Sequence, residues 1–240
     1  MSVKQSVKSL FLFLNLPVTK NIRYDLYTRR ILKKVLKNDS HCIDVGCHKG
    51  EILDEILRYA PNGRHWGFEP LSFLFDFLKQ KYQGKDITFF PVALCDKKGT
   101  TTFNYVVNAP AYSGIKKRKY DIPDARIDEL IVETDLLDNL IPDHEKIDFI
   151  KIDVEGAEFS VLKGSINTIR RCKPLMIFEC GLGAADYYDT RPEELFKFLT
   201  SECNVCISTL GGYLKNEKCL EKKDFCDLFI SGKEYYFVAY

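Results

Sequence analysis

Two short segments about a hundred residues apart decide the fold: Ile43-Asp44-Val45-Gly46-Cys47-His48-Lys49-Gly50 and Ile150-Lys151-Ile152-Asp153-Val154-Glu155-Gly156-Ala157-Glu158. Each reads as a buried parallel strand that ends in an acidic residue and a glycine turn and then opens a helix. Open α/β sheets bind ligands beyond the carboxyl ends of their strands. Two such endings place acidic groups and bare backbone on one rim of one sheet.

Outward from these segments the pattern alternates. Arg30 to Lys37 is helical. His41 to Val45 is a strand, Glu51 to Tyr59 a helix, and His65 to Phe68 a strand ended by Glu69-Pro70. Ser72 is placed to cap the next helix. Ile87 to Leu94 reads as a third strand, and Thr100 to Val106 alternates like a hairpin partner. Asn108 to Asp124 is polar and reads as a loop. Ile147 to Asp153 is a strand followed by a helix to about Arg171, and Pro174 to Glu179 is another strand. Thr190-Arg191-Pro192-Glu193 has the form of a capping box. Val205 to Leu210 and Tyr235 to Tyr240 close the chain as strands. The order predicts a mostly parallel sheet with antiparallel strands at one edge and helices on both faces.

Bulk properties narrow the classes. The chain has 240 residues, room for one α/β domain (39–240) behind an N-terminal helical extension (1–38). Its net charge of +1 gives no case for nucleic-acid binding over the whole surface. Leu10 to Leu14 is apolar but too short for a membrane span, and Asn15 and Pro17 end it; it is expected to pack on the domain, with membrane-surface contact a minority reading. The nine cysteines, without an export signal, are expected to be reduced thiols in a cytoplasmic protein. Cys203, Cys206, Cys219 and Cys226 are spaced poorly for zinc. The aromatic residues near the C-terminus are a candidate homodimer surface.

The first glycine turn departs from a dinucleotide fingerprint, because Asp44 stands where its first glycine belongs. An aspartate there repels a pyrophosphate and suits a ligand with an ammonium and a sulfonium, such as S-adenosylmethionine. Gly46 lets the backbone approach the ligand, and Gly50 permits close helix packing. Glu69 ends the second strand, 19 positions after Gly50, where a carboxylate can accept from ribose hydroxyls.

These residues, with Phe68-Glu69-Pro70, Ala93-Leu94-Cys95-Asp96, Lys151-Ile152-Asp153-Val154-Glu155-Gly156-Ala157-Glu158 and Leu162-Lys163-Gly164, resemble the FkbM family of S-adenosylmethionine-dependent methyltransferases from roughly His41 to Glu179. The resemblance implies a class I methyltransferase-like (Rossmann-like) seven-stranded sheet and O-methylation of sugar or polyketide hydroxyls. It also implies that Asp44, Gly46 and Gly50 contact the methionine part, that Glu69 holds the ribose, and that Val92, Ala93 and Leu94 flank the adenine. Cys180 follows Glu179 where relatives carry histidine, so any role of that histidine is absent here.

An alcohol must lose a proton to accept a methyl group, so a base or a metal is expected. Asp153 is the first choice, with Glu179 and Glu155 as further catalytic candidates. Asp153 and Glu179, on neighbouring strand ends, are the candidate ligands of a divalent cation such as magnesium. Glu158 reads as a solvated helix residue, Lys151 as a snorkelling or paired lysine, and His48 as a loop residue. Tyr112, Ser113, Lys116 and Lys117 are the candidate substrate-binding residues of a lid, and Gly181 to Tyr188 is a second wall. The leading expectation is an O-methyltransferase acting on a carbohydrate, whether polysaccharide, lipid-linked glycan or nucleotide-sugar. The alternatives are a nicotinamide-dependent oxidoreductase, a non-catalytic glycan-binding module and an RNA methyltransferase.

Overall fold

The computed structural model describes residues 19–120 and 122–240. The apolar run Leu10 to Leu14 lies outside them.

Seven strands form one sheet: β1 (Cys42–Val45), β2 (His65–Phe68), β3 (Ile87–Phe90), β7 (Phe149–Ile152), β8 (Leu175–Glu179), β9 (Ile207–Thr209) and β10 (Tyr236–Ala239), in the order β3-β2-β1-β7-β8-β10-β9. Five run parallel from β3 to β8, and β10 is antiparallel to both of its neighbours. The strands are mostly apolar on both sides because helices cover both faces, as parallel sheets require; Asp44, His65 and Lys151 are buried exceptions. On one face Cys42, Phe149, Ile177 and Val238 meet Ile31 and Leu32 of α1 (Lys20–Val35), Leu53 and Ile56 of α2 (Glu51–Tyr59) and Leu78 of α3 (Ser72–Lys81). On the other, Ile43, Ile150, Met176 and Phe237 meet helices from the second half of the chain.

The expected strand Ile87 to Leu94 is two strands. Pro91 has no amide to give a ladder, and the chain leaves the large sheet there. It re-forms as β4 (Val92–Leu94), one edge of a second, three-stranded sheet whose central strand is β6 (Ile127–Asp135). In that sheet β5 (Gly99–Val106) pairs antiparallel with β6, a strand the sequence did not announce.

The helix expected to reach Arg171 is also broken. After α4 (Leu137–Leu140) and β7, α5 (Glu158–Lys163) ends at Gly164, and α6 (Ile166–Cys172) begins afresh. Both carboxylate oxygens of Asp138 accept amides of the first turn of α6, from Asn167 and Thr168. That is side-chain capping supplied from a distance.

The capping expectations fail at two other starts. Ser72 is already inside α3, and the Leu71 amide before it is held by Glu69 at 3.1 Å. The helix α7 (Pro192–Lys197) starts after Arg191 with no side-chain cap, so Thr190-Arg191-Pro192-Glu193 forms no capping box. The expectation that every cysteine is reduced is corrected too: Cys206 and Cys219 are joined by a disulfide. It encloses α8 (Leu210–Leu214). The last helix is α9 (Lys222–Ser231). Among the described residues no helix is long and apolar enough to cross a membrane.

Candidate active site

The carboxyl ends of β1, β2, β4 and β7 open into one cleft enclosing about 590 Å³ of empty space, counting its mouth. Val45, Gly46, His48, Glu69, Val92 to Leu94, Asp153 and Glu155 line it. The break at Pro91 therefore has a purpose: it turns Val92, Ala93 and Leu94 out of the sheet and into the cleft wall.

Asp44 lies behind the cleft lining, next in the chain to Val45 and Gly46; it is 2% exposed, with its Oδ2 buried and without a hydrogen-bond partner among the described residues. Burial pushes its carboxyl up to about 7, and attraction to Lys151 offsets part of that rise. An orphaned acceptor of this kind is costly. A cationic ligand would relieve the cost.

Glu69 is also buried, and its two oxygens accept the amides of His48 at 2.8 Å and Leu71 at 3.1 Å. Burial nevertheless pushes it up to about 7. Each oxygen keeps a second lone pair, so Glu69 can still accept from a diol. The set suits a ligand that carries a positive charge and paired hydroxyls.

The glycines have separate reasons. Gly46 has φ +82°, and its amide donates to the Phe68 carbonyl. Gly50, at φ +79°, lies behind the cleft lining; a Cβ there would meet Tyr82 Oη at 2.4 Å, so it serves helix packing.

At the far side the acidic residues form one network. The Lys151 ammonium is 2.8 Å from Asp153 Oδ2 and 4.7 Å from the centre of the Tyr236 ring. The Tyr236 hydroxyl lies 2.6 Å from Asp153 Oδ2 and 3.1 Å from Glu179 Oε2. Burial opposes ionisation of Asp153, but Lys151 and the Tyr236 hydroxyl hold it below the ordinary carboxylate range. Burial, and then the Asp153 charge, push Glu179 well above that range.

This network corrects the expected metal site. A cation would have to displace the Lys151 ammonium from Asp153 and ionise Glu179, so the donor set does not fit a divalent ion. Among the described residues no group of three acidic, histidine or cysteine side chains converges to hold one. Lys151 pairs with a carboxylate, one of its two sequence readings, whereas Tyr236 has no signal in the sequence as a site residue. Tyr236 is brought to Glu179 by the antiparallel register of β10 on β8, which no local pattern reveals.

Glu158 is not solvated, contrary to its sequence reading. It is 1% exposed, and its Oε1 accepts the amides of Val154 and Gly156 at 3.0 and 3.1 Å. It thereby shapes the turn in which Glu155 takes φ +59°.

The expected lid and second wall meet each other. The Tyr188 hydroxyl accepts the Lys116 amide at 2.8 Å, and that of Tyr187 accepts the Lys119 amide at 3.1 Å. Arg118 pairs with Glu155 and donates to the Gly183 carbonyl at 3.1 Å. Tyr112 lies under the Arg118 guanidinium. Ser113 lines the cleft and accepts the Val106 amide at 3.0 Å. The Lys116 side chain reaches Asp189, and Lys117 is exposed.

Comparison with known proteins identifies the family and the fold. The chain is 27% identical over 159 residues to methyltransferase sdnD of Sordaria araneosa, a match covering 54% of this chain and 61% of that protein. The crystal structure of methyltransferase FkbM from Methylobacillus flagellatus KT superimposes with a TM-score of 0.56 at 16% identity, over 100% of this chain and 56% of that one. The chain thus spans less than two thirds of each relative's length. Residues 44–205, about two thirds of the chain, match the methyltransferase FkbM domain, and the chain belongs to that family.

Proposed function

We propose that the protein is an S-adenosylmethionine-dependent O-methyltransferase acting on a carbohydrate hydroxyl. The observation that carries this reading is an accepting carboxylate at Glu69 in the cleft together with an orphaned buried carboxylate at Asp44, immediately behind the Val45 and Gly46 lining. Asp44 would take the cationic methionine end and Glu69 the ribose diol, with Val92, Ala93 and Leu94 against the adenine. Gly46 would bring its backbone close to the ligand.

The cofactor supplies an electrophilic methyl group. The chain's task is to align an acceptor hydroxyl and remove its proton. An alcohol ionises about as reluctantly as water, roughly pKa 15.7, so the proton must leave during transfer, and a positioned base is worth about 10²- to 10⁴-fold. Asp153 lines the cleft and is held ionised, which suits it to that role. Glu155 is engaged by Arg118 and serves the lid. Tyr112, more than a third exposed beside the mouth, offers a flat face for a sugar ring, and Ser113, Lys116 and Lys117 border the same loop.

Calorimetric titration with S-adenosylmethionine, S-adenosylhomocysteine and NAD tests the reading. Micromolar binding of the two sulfur ligands, lost in Glu69→Ala and absent for NAD, supports it. Binding of NAD alone favours the oxidoreductase. Binding of neither sulfur ligand removes the proposal. Acceptor screening on sugar hydroxyls follows a positive result.

A further inference from the structure

The row Asp153, Glu179 and Tyr236 crosses three strands on one face of the sheet. Tyr236 pairs in register with Glu179, and Asp153 follows β7 beside it. The chemistry of this row is fixed by counting hydrogens. A tyrosine hydroxyl has one proton to give and lone pairs to accept with. Tyr236 contacts both carboxyl groups, at 2.6 and 3.1 Å. It can donate to one of them only. The other contact is a hydrogen bond only if that carboxyl group carries a proton and donates.

The shorter contact, to Asp153 Oδ2, has the length of a donation to an ionised acceptor. Lys151 donates to the same oxygen at 2.8 Å. Lys151 is itself 3% exposed; a buried ammonium needs an ionised partner, and Asp153 is the one in contact. The proton therefore resides on Glu179, which is half-buried on the neighbouring strand end. The other charged groups facing this cluster are Asp44 on β1 and Glu158 on α5, both acidic. Neither supplies Glu179 with a cationic partner, and the attraction of Lys151 for it is outweighed by burial and by the Asp153 charge.

We propose that Tyr236 is the positioning residue of the acid–base centre: it donates its one proton to Asp153, accepts one from Glu179, and so keeps Asp153 facing the cleft as the ionised member of the pair. Two donors saturate Oδ2 and leave Oδ1 to take the acceptor's proton. This assignment rests on the methyltransferase reading for its purpose, but not for its test. Phenylalanine at 236 keeps the ring over Lys151 and against Tyr24, whose ring centre is 4.9 Å away, and removes only the hydroxyl.

The experiment is a pH titration of protein labelled with ¹³C at the Asp and Glu carboxyls, without ligand. Signals are assigned by their loss in Asp153→Asn and Glu179→Gln. In the wild type Asp153 should be ionised and Glu179 protonated at pH 7. Tyr236→Phe should raise the Asp153 midpoint by about one pH unit, the scale of one lost charge-assisted hydrogen bond. Glu179→Gln, which imitates the protonated acid and still donates, should leave that midpoint near the wild-type value. The assignment is overturned if both carboxyls are ionised at pH 7, if Tyr236→Phe leaves the midpoint unchanged, or if Glu179→Gln shifts it as far as Tyr236→Phe does. If Tyr236→Phe fails to fold, the wild-type protonation states and the Glu179→Gln midpoint set against the wild type still decide: ionised Glu179 at pH 7, or a shift of about one pH unit in Glu179→Gln, overturns the assignment. Calorimetry with S-adenosylhomocysteine on the same wild-type sample reports on the methyltransferase reading separately.

Discussion

A Cβ built on Gly46 would lie 1.9 Å from the carbonyl oxygen of Asp153. The first glycine turn and the end of β7 therefore touch through bare backbone, and the two halves of the cleft are registered against each other at that point. Neither atom can retreat, because the Gly46 amide is bonded to Phe68 and the Asp153 amide to the Val45 carbonyl at 3.0 Å. Gly46→Ala should cost about 3 kcal/mol from overlap and left-handed strain together. It should also abolish binding of S-adenosylhomocysteine. Urea denaturation and calorimetry check the two effects, and a variant of wild-type stability would contradict the geometry.

Ligand affinity should depend on pH. Asp44 and Glu69 are pushed by burial to about 7 in the folded chain, from ordinary values of 3.8 and 4.5. Between those limits the unfolded chain loses protons that the folded chain keeps. Stability of the ligand-free protein should therefore fall as pH rises from about 4 to 7, and Glu179, still protonated at pH 7 in the folded chain, carries the fall further. Asp153, held low, acts in the opposite sense, and its contribution is lost only in acid. An ammonium is held best by an ionised Asp44 and a diol by an ionised Glu69, so the affinity for S-adenosylhomocysteine, which carries both groups, should weaken about tenfold or more from pH 8 to pH 6. Titrations at the two pH values measure this; equal dissociation constants would show that neither group changes charge on binding.

Glu158→Ala should leave the amides of Val154 and Gly156 buried and unpaired, at a cost of about 2 kcal/mol or more. Glu158→Gln retains an acceptor and should lose much less. Denaturation midpoints of the two variants decide it. Equal losses would mean that the charge, not the turn, is what Glu158 provides.

Arg118→Ala should loosen the lid without unfolding the sheet, since Arg118 joins Glu155, the Gly183 carbonyl and the Tyr112 ring. Hydrogen exchange at 110–120 should quicken at least several-fold while β1 and β7 keep their protection. Uniform exchange across both regions would contradict the assignment of the loop as a separable cover.

Reduction of Cys206–Cys219 should destabilise the chain by about 3 kcal/mol, the scale for a loop of this separation. Thiol counting after unfolding without reductant should find seven free cysteines. Nine would show that the bond does not form.

How much of this was legible follows from where each signal sits. The strands β1, β2, β7 and β8 are short, buried and mostly apolar because both faces are covered, and the acidic residues at or just after their ends stand out against that background. The strand β6 did not stand out. Its outward row includes Glu129, Ile131 and Glu133, all exposed, and only Val132, Thr134 and Asp135 are buried. Glu158 looked like an ordinary first-turn carboxylate, because the backbone it serves lies in the preceding turn and folds back over it. Tyr236 needed the register of an antiparallel partner nearly sixty residues away. The sequence shows what each strand ends with, but not what crosses over to meet it.

The departure at Pro91 has a consequence for how such a protein can diversify. The chain leaves β4 at Cys95 and comes back along β6 to Asp135, and the Cys95 amide bonds the Asp135 carbonyl at 3.0 Å. Entry and exit are hydrogen-bonded neighbours. The stretch between them, with β5 and the covering loop, is thus a cassette on a closed hinge. It can be lengthened, shortened or exchanged to suit a different acceptor while the two anchor points, and the half of the cleft built from β1 and β2, stay where they are.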